Sequence, residues 1–177
     1  MEPNWLSPDE DRAWRAFVFA QRQLVARLNR GLQESGLSGP DYDGLVVLSA
    51  LDGDRVRARD LCSTLGWEKS RLSHQLRRMQ QDGLISRELN PDDARSTVVR
   101  LLPAGRAAIE TAAPGHVADV RRNFIDLFAP PELDTLTTLN ERVLHHLATD
   151  DGSAADDGPS SPQSAASISA PTRRRHE

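Results

Sequence analysis

The segment from Ala58 to Leu101 constrains the fold of this chain most strongly, because glycines divide it into short elements of contrasting pattern. A first helix is predicted to end at Gly66, and a longer helix is predicted to follow it. After Gly83, two short runs with the composition of β-strands, 84–89 and 97–101, flank a polar connection. Helix, turn, helix and hairpin in this order predict a winged helix-turn-helix.

The second helix of this segment has two contrasting faces. Leu72, Leu76 and Met79 recur at the spacing of one helical stripe, so they are predicted to face a core. The opposite face is predicted to carry side chains that can donate hydrogen bonds to phosphates or base edges: Lys69, Ser70, Arg71, Ser73, His74, Gln75, Arg77 and Arg78. A basic outer face is also typical of an ordinary solvated helix. The preceding helix, and an arginine at the end of the hairpin, favour DNA recognition over this alternative.

The hairpin and the helix after it resemble a known family. The run Asp93-Ala94-Arg95 is similar to the Asp-x-Arg element in the wing of MarR-type transcriptional regulators. Residues 98–101 and 103–106 continue the family pattern into the next helix. The resemblance implies a winged-helix protein that binds double-stranded DNA as a homodimer and regulates transcription. Repression is the default expectation, because a dimer on promoter DNA blocks polymerase.

The chain departs from the family pattern at two positions. Asn90 stands where an aspartate is common, and Leu102 stands where a threonine often caps the next helix. Neither change removes a group that contacts DNA, so the resemblance holds over about residues 7–147. The lost cap is expected to lower stability by about 1 kcal/mol.

The predicted fold is mainly α with a small β-hairpin wing. Residues 1–147 are expected to form one MarR-type domain. Within it, about 55–102 form the winged helix-turn-helix, and 7–36 and 103–147 form N- and C-terminal dimerisation helices. Residues 148–177 are rich in Ser, Ala, Asp, Gly and Pro. This segment cannot bury enough apolar surface to fold, so it is predicted to be a disordered tail.

The N-terminal helices have recognisable boundaries. Ser7, Pro8 and Glu10 form the pattern of a capping box with proline in the first turn. Apolar positions then recur at helical spacing until Gly36, where the first helix is predicted to end. A second helix is predicted over about residues 40–51.

The C-terminal helices carry a further apolar stripe. One helix is predicted from Pro103 to Phe128, with a kink at Pro114. Pro130 opens a last helix, whose stripe contains Leu133, Leu136, Leu139, Val143, Leu144 and Leu147. The terminal helices carry more apolar surface than one small winged helix-turn-helix can bury. A homodimer is therefore predicted. Such dimers read inverted repeats whose half-sites lie about one helical turn (~10 bp) apart.

The charge of the chain is unevenly distributed. Eleven basic and six acidic residues lie between Arg55 and Arg106, so this segment carries +5, and the net charge of −4 leaves −9 for the remainder. Positive charge is therefore concentrated where phosphate contact needs it. A single cysteine, no apolar leader and no run of about 18 apolar residues predict a cytoplasmic protein without membrane association.

Individual roles follow from position on the recognition helix. Residues 69–77 are predicted to enter the major groove. There Arg71 and His74 are the best candidates for base edges, since arginine pairs well with guanine. Ser70 and Ser73 are assigned to bases or phosphates, and at least one of Arg77 and Arg78 to the DNA backbone. Lys69 completes the set of predicted DNA contacts on this helix.

Residues beside the recognition helix receive other roles. Arg95 at the wing tip is predicted to enter the minor groove, where narrow A·T-rich segments attract a guanidinium. Asp93 is expected to orient Arg95 or a neighbouring arginine, because phosphate repels a carboxylate. Glu68 could accept from cytosine but is expected to cap the recognition helix, and Trp67 is expected to pack rather than to stack on a base.

The resemblance also implies control by a small aromatic or phenolic effector, bound between the dimerisation helices and the winged helix-turn-helix. Trp14, Phe17, Arg22 and Tyr42 could line such a cleft. However, Trp14 and Phe17 also lie on the apolar stripe of their helix, where core packing is the default interpretation. The effector-binding residues are therefore left unassigned.

Other chemistries lack the necessary residues. The sequence has no phosphate-binding glycine loop, metal motif or nucleophile elbow, so neither an enzyme nor a cofactor is predicted. Cys62 lies on an inner stripe and is expected to be a buried, inert thiol. Glu141 and His145 have ligand spacing, but two ligands do not make a metal site. A winged-helix module that binds a protein partner, without sequence-specific DNA binding, is the alternative that stays open.

Overall fold

The computed structural model describes residues 3–51, 54–90 and 93–151; the side chains of 90, 93–95 and 150–151 are outside this description. The chain forms two compact units, the first reaching Asp119 and the second beginning at Val120. In chain order the elements are α1 (Pro8–Glu34), α2 (Gly39–Ala50), β1 (Arg55–Arg57), α3 (Ala58–Leu65), α4 (Lys69–Gln81), β2 (Ile85–Asn90), β3 (Asp93–Leu101), α5 (Pro103–Asn123), a 3-10 turn (Ile125–Leu127) and α6 (Pro130–Asp151).

The predicted capping box of α1 is confirmed. The Ser7 amide donates to Glu10 Oε2 at 2.7 Å, and the Glu10 amide donates to Ser7 Oγ at 3.4 Å. The helix ends at Glu34, just before Gly36, whose φ of 77° is readily adopted only by glycine. Residue-level capping signals therefore place both ends of α1.

The second helix, α2, begins with a capping box that the sequence interpretation had not identified. Ser38 is its N-cap, and Asp41 occupies the third helical position. The Asp41 amide donates to Ser38 Oγ at 3.3 Å, while the Ser38 amide donates to Asp41 Oδ2 at 2.9 Å. Apolar side chains of α2 then enter the core: Tyr42, Leu45, Val46 and Leu48.

Helices α3 and α4 and a three-stranded sheet form the predicted winged helix-turn-helix. Gly66 ends α3 with a φ of 61°. The strand order in the sheet is β1-β3-β2, and both pairings are antiparallel. The short strand β1 was not predicted, because three residues give too weak a pattern. Strand β3 begins at Asp93 rather than at Thr97, since the wing pairs almost to its tip.

One apolar core holds this module together. The predicted stripe of α4, Leu72, Leu76 and Met79, is buried in it. Its other buried members come from the surrounding helices and strands: Leu32, Leu37, Tyr42, Leu45, Val46, Leu48, Leu61, Ile85, Val99, Leu101, Ile109 and Ala112. Because α2, α3 and the sheet all contact α4 through this core, several elements support the helix at once.

The C-terminal helices differ from the prediction in their boundaries. The helix α5 passes through Pro114 and ends at Asn123, so the predicted extension of this helix to Phe128 is wrong. A 3-10 turn follows instead, and Phe124 packs edge-to-face on Phe128 with ring centroids 5.2 Å apart. The helix α6 runs to Asp151, which is four residues beyond the predicted boundary at residue 147. The remainder of the predicted disordered tail, residues 152–177, lies outside the described residues.

Several large apolar side chains of α1 are exposed in the single chain. Trp14 is 58% exposed and Phe17 is 52% exposed, although both were expected to pack in a core. Phe19 and Val25 on the same helix are exposed as well. The apolar stripe of α1 thus reaches well beyond what its own unit covers.

In the second unit, α6 also leaves its apolar stripe exposed. Leu139, Val143, Leu144 and Leu147 each have about half of their surface accessible, between 49% and 59%. A helix with so much apolar surface is typical of an interface.

Gly105 provides a test of close packing in α5. A Cβ on Gly105 would overlap the carbonyl oxygen of Leu84, which also accepts from the Leu102 amide at 3.0 Å. Gly105→Ala should therefore lower the free energy of unfolding by about 3 kcal/mol. Gly115→Ala is the matched control, because nothing lies within 4 Å of its added Cβ. Gly115→Ala should raise the free energy of unfolding by about 0.5–1 kcal/mol. Urea denaturation of both variants measures these two changes.

His116 of α5 should make stability depend on pH. Its ring lies 4.3 Å from that of Tyr42, and its Nδ1 is buried without a hydrogen-bond partner among the described residues. Burial lowers the pKa of His116, and the charge of Asp119 opposes this effect. The unfolded chain, with a histidine pKa of about 6.5, therefore takes up a proton before the folded chain does.

The free energy of unfolding should consequently fall as pH drops through about 6.5, and the loss should be smaller in His116→Gln. Urea denaturation at about pH 7.5 and 5.5, at one protein concentration, measures this difference. Equal losses in the two proteins would contradict the assignment.

Candidate nucleic-acid interface

The recognition helix α4 presents a continuous exposed face of hydrogen-bond donors. The buried stripe holds the helix against the core, and this leaves the other side open to solvent. The exposed residues are seven of the predicted DNA contacts: Lys69, Ser70, Arg71, Ser73, His74, Arg77 and Arg78. Such a face can supply both phosphate contacts and base-edge contacts.

Arg71 is anchored at the start of this face. Its guanidinium lies 4.6 Å from the centroid of the Trp67 ring, which is cation–π geometry. Trp67 is partly buried and packs against the core, as the sequence predicted. Burial raises the pKa of Asp43 in α2, and the nearby charge of Arg71 opposes that rise. Trp67 and Asp43 thus both act on the side chain assigned to base contact.

Gln75 does not belong to the exposed face, so that placement was wrong. It is only 8% exposed, and its Nε2 donates to Asp41 Oδ1. Position 75 lies three residues after Leu72 and four before Met79, which puts it on the buried stripe. The spacing therefore could have revealed its direction. Its polarity obscured that signal, because a buried amide needs a partner that the sequence does not show.

The two adjacent arginines of α4 have different environments. Arg78 Nη2 donates to Asp41 Oδ2 at 3.2 Å and to Ser38 Oγ at 3.3 Å, and its side chain is 49% exposed. Arg77 is exposed and has no ion-pair partner within the described part of the chain. Of the pair, Arg78 is therefore the one whose guanidinium is held by a carboxylate of another helix.

Glu68 occupies the N-cap position of α4, but its side chain makes no capping hydrogen bond. The expected capping role is therefore wrong. Glutamate is longer than the serine, threonine, aspartate and asparagine side chains that reach back to the first-turn amides. Its carboxylate still lies at the positive end of the helix dipole.

The wing can be described only by its backbone near the tip. Asp93 and Arg95 lie in β3, and their side chains are outside the described residues. Further along the strand, Arg100 pairs with Glu88 of β2 at 3.5 Å. The predicted minor-groove contact and its orienting carboxylate therefore remain sequence predictions.

A cavity of about 440 Å³ lies between α3, α4 and the wing. Its lining combines an apolar floor with three cationic side chains: Ala58, Arg59, Cys62, Lys69, Leu72, Ser73, Leu76, Arg87, Ser96 and Thr97. The Arg87 Nε is buried without a hydrogen-bond partner in the described part. Sequence reasoning missed Arg59 and Arg87, because a cavity between three elements leaves no periodic signal.

Cys62 is half-buried and not fully buried as expected. Its thiol donates to the backbone carbonyl of Trp67, which satisfies the group within its own turn. The described residues contain no group of three or more His, Cys, Asp or Glu side chains arranged for a metal ion.

The residues named for an effector cleft do not share one cavity. The ring centroids of Trp14 and Phe17 lie 6.2 Å apart on the exposed side of α1, whereas Tyr42 is buried against His116. Arg22 lines a separate depression on α1 with Gln21, Val25, Ala26 and Asn29.

Among the described helices, none combines the length and the apolar composition that crossing a membrane requires.

Comparison with known proteins identifies relatives of this fold. A family model described as MarR family matches residues 35–96. The uncharacterized HTH-type transcriptional regulator YdgJ of Bacillus subtilis (strain 168) is 28% identical over 83 residues, or 46% of this chain. This chain spans only about half of that curated relative, 51% of its length.

Two solved structures from Streptomyces coelicolor match more of the chain. AbsC, a MarR family transcriptional regulator, is 40% identical with a TM-score of 0.80, over 83% of this chain and 99% of AbsC. A second MarR family transcriptional regulator, solved in complex with DNA, is 32% identical with a TM-score of 0.79, over 82% of this chain and 92% of its own. Identity at this level along nearly the whole of AbsC, in a fold with the predicted wing, shows that the chain belongs to the MarR family of transcriptional regulators, which are not enzymes.

Proposed function

We propose that this protein is a sequence-specific DNA-binding transcriptional regulator. The observation that carries the proposal is the exposed donor face of α4, held on a rigid core and beside a wing. A relative that shares this fold at 32% identity was solved in complex with DNA, which supports DNA binding by this protein. A protein-binding module would have no need for so many donors along one helix.

The active form is a homodimer. Large apolar side chains on α1 and, separately, on α6 are exposed in the single chain. Burying them against a second copy would remove about 25 cal/mol of unfavourable hydration for each Å² covered. Two-fold symmetry would then set two copies of α4 to read an inverted repeat with half-sites about one helical turn (~10 bp) apart.

Six exposed side chains of α4 have a role in this scheme. Arg71 and His74 contact base edges in the major groove, and Ser70 and Ser73 contact bases or phosphates. Lys69 and Arg77 pair with phosphates. At the wing, Arg95 enters the minor groove and Asp93 orients it or a neighbouring arginine.

The regulator acts as a repressor that a small molecule releases. The cavity beside α4 is a different place from the cleft that the resemblance implies. It suits an aromatic or phenolic compound with an acidic group, because Leu72 and Leu76 supply apolar surface and Arg59 and Arg87 supply charge. Lys69 and Ser73 line the cavity and also belong to the donor face of α4. A bound effector would draw these side chains away from DNA, so the two ligands would compete.

Selection from a pool of random duplex DNA tests the proposal. We expect enrichment of an inverted repeat, bound by one dimer, with an affinity that falls steeply as salt rises. Binding that is weak and indifferent to sequence would contradict sequence-specific regulation. No binding at all would favour the protein-partner alternative.

Two arginine variants should separate base reading from backbone contact. Arg71→Ala should relax the preference at a single base position, at a cost of about 1–3 kcal/mol on the selected site. Arg95→Ala should weaken binding to selected and random DNA alike, because a wing contact reads shape and charge. Titrations on both DNAs measure the difference, and sedimentation confirms that the dimer is intact. Equal effects of the two changes on both DNAs would refute this division of roles.

A further inference from the structure

The carboxylate of Asp41 is buried between α2 and the recognition helix α4, and it accepts hydrogen bonds from Ser38, Gln75 and Arg78. We call these four residues the hub. Its side chain is 5% exposed, so it has little access to water. Four donors surround it: the amide and hydroxyl of Ser38, the Gln75 side-chain amide and the Arg78 guanidinium. A buried carboxylate is stable only with such partners, and two of the four come from α4.

We propose that Gln75 and Arg78 are positioning residues, which hold α4 on Asp41 and thereby determine its sequence discrimination, and that Arg78 does not bind phosphate. This inference rests on the proposed DNA-binding function. It reverses the sequence-based expectation for Arg78, which placed it among the DNA contacts.

The geometry explains why these contacts matter for reading DNA. Leucine and methionine side chains in a core resist separation of the helices, but they restrict rotation about a helix axis less well than directional hydrogen bonds do. Gln75 and Arg78 supply two such bonds to opposite oxygens of one carboxylate. The rotation of α4 relative to α2 is therefore set at this hub.

A change at the hub would be felt at the bases. Arg71 lies seven residues before Arg78, which is about two helical turns or roughly 10 Å along the same face. A rotation of α4 that follows loss of the Arg78 contact would turn Arg71 and His74 by the same angle. Contacts to base edges depend on direction more strongly than contacts to phosphates do, so discrimination should suffer first.

The test uses the full-length protein and compares Arg78→Ala with its neighbour Arg77→Ala. Affinities for the selected inverted repeat and for a random duplex of equal length are measured over a range of salt concentrations. For Arg78→Ala we expect the wild-type salt slope on random DNA, with a ratio of specific to random affinity reduced about tenfold. For Arg77→Ala, the matched control, we expect a slope smaller by about 1.8, because the dimer loses two phosphate contacts at about 0.9 each, and a preserved ratio.

Asp41→Asn supplies a second arm of the test. If Arg78 were a phosphate contact, removing the carboxylate would free it and strengthen binding to every DNA. The hub predicts a reduced ratio instead, and it predicts that adding Arg78→Ala to Asp41→Asn lowers the ratio little further, because both changes break one network.

The outcomes are distinguishable. A reduced salt slope or an unchanged ratio in Arg78→Ala overturns the positioning role while leaving DNA recognition intact. A wild-type protein that does not discriminate between DNA sequences overturns the proposed function and this inference with it.

Discussion

The burial of one stripe of α4 is the constraint on which the rest of the structure depends. Leu72, Leu76 and Met79 must lie in the core, and this leaves the remaining face of a short, basic helix open to solvent. The core that receives them is built by α2, α3, α5 and the sheet together. A surface that contacts a charged polymer must stay in place when the charges are neutralised, and this shared core resists the separation of α4 from its neighbours.

The sequence predicted those parts of the fold that local signals specify. The capping box at Ser7 and the left-handed glycines Gly36 and Gly66 act within a few residues, so their consequences could be read directly. The buried stripe of α4 has a strong helical period and was equally legible. Strand β1 depends on pairing with β3, which is distant in sequence, and it was not predicted. The end of α5 was placed too late in the sequence.

The candidate site was predictable to a similar extent. Composition and spacing identified the donor face of α4, because side-chain chemistry and helical period are both visible in sequence. They could not separate Arg77 from Arg78, since the difference between these neighbours is a carboxylate on another helix. The cavity lined by Arg59 and Arg87 was hidden for the same reason: three elements must assemble before it exists.

Asp41 shows how one residue can connect capping, packing and recognition. As the third residue of α2 it completes a capping box with Ser38, which is a local role that would be satisfied on the protein surface. The fold instead buries it against α4, where its second oxygen would be costly without a donor. Gln75 meets that requirement, and Arg78 balances the charge. The need of a single buried carboxylate for hydrogen-bond donors thus couples the start of α2 to the orientation of α4. That orientation directs the side chains proposed to contact DNA bases.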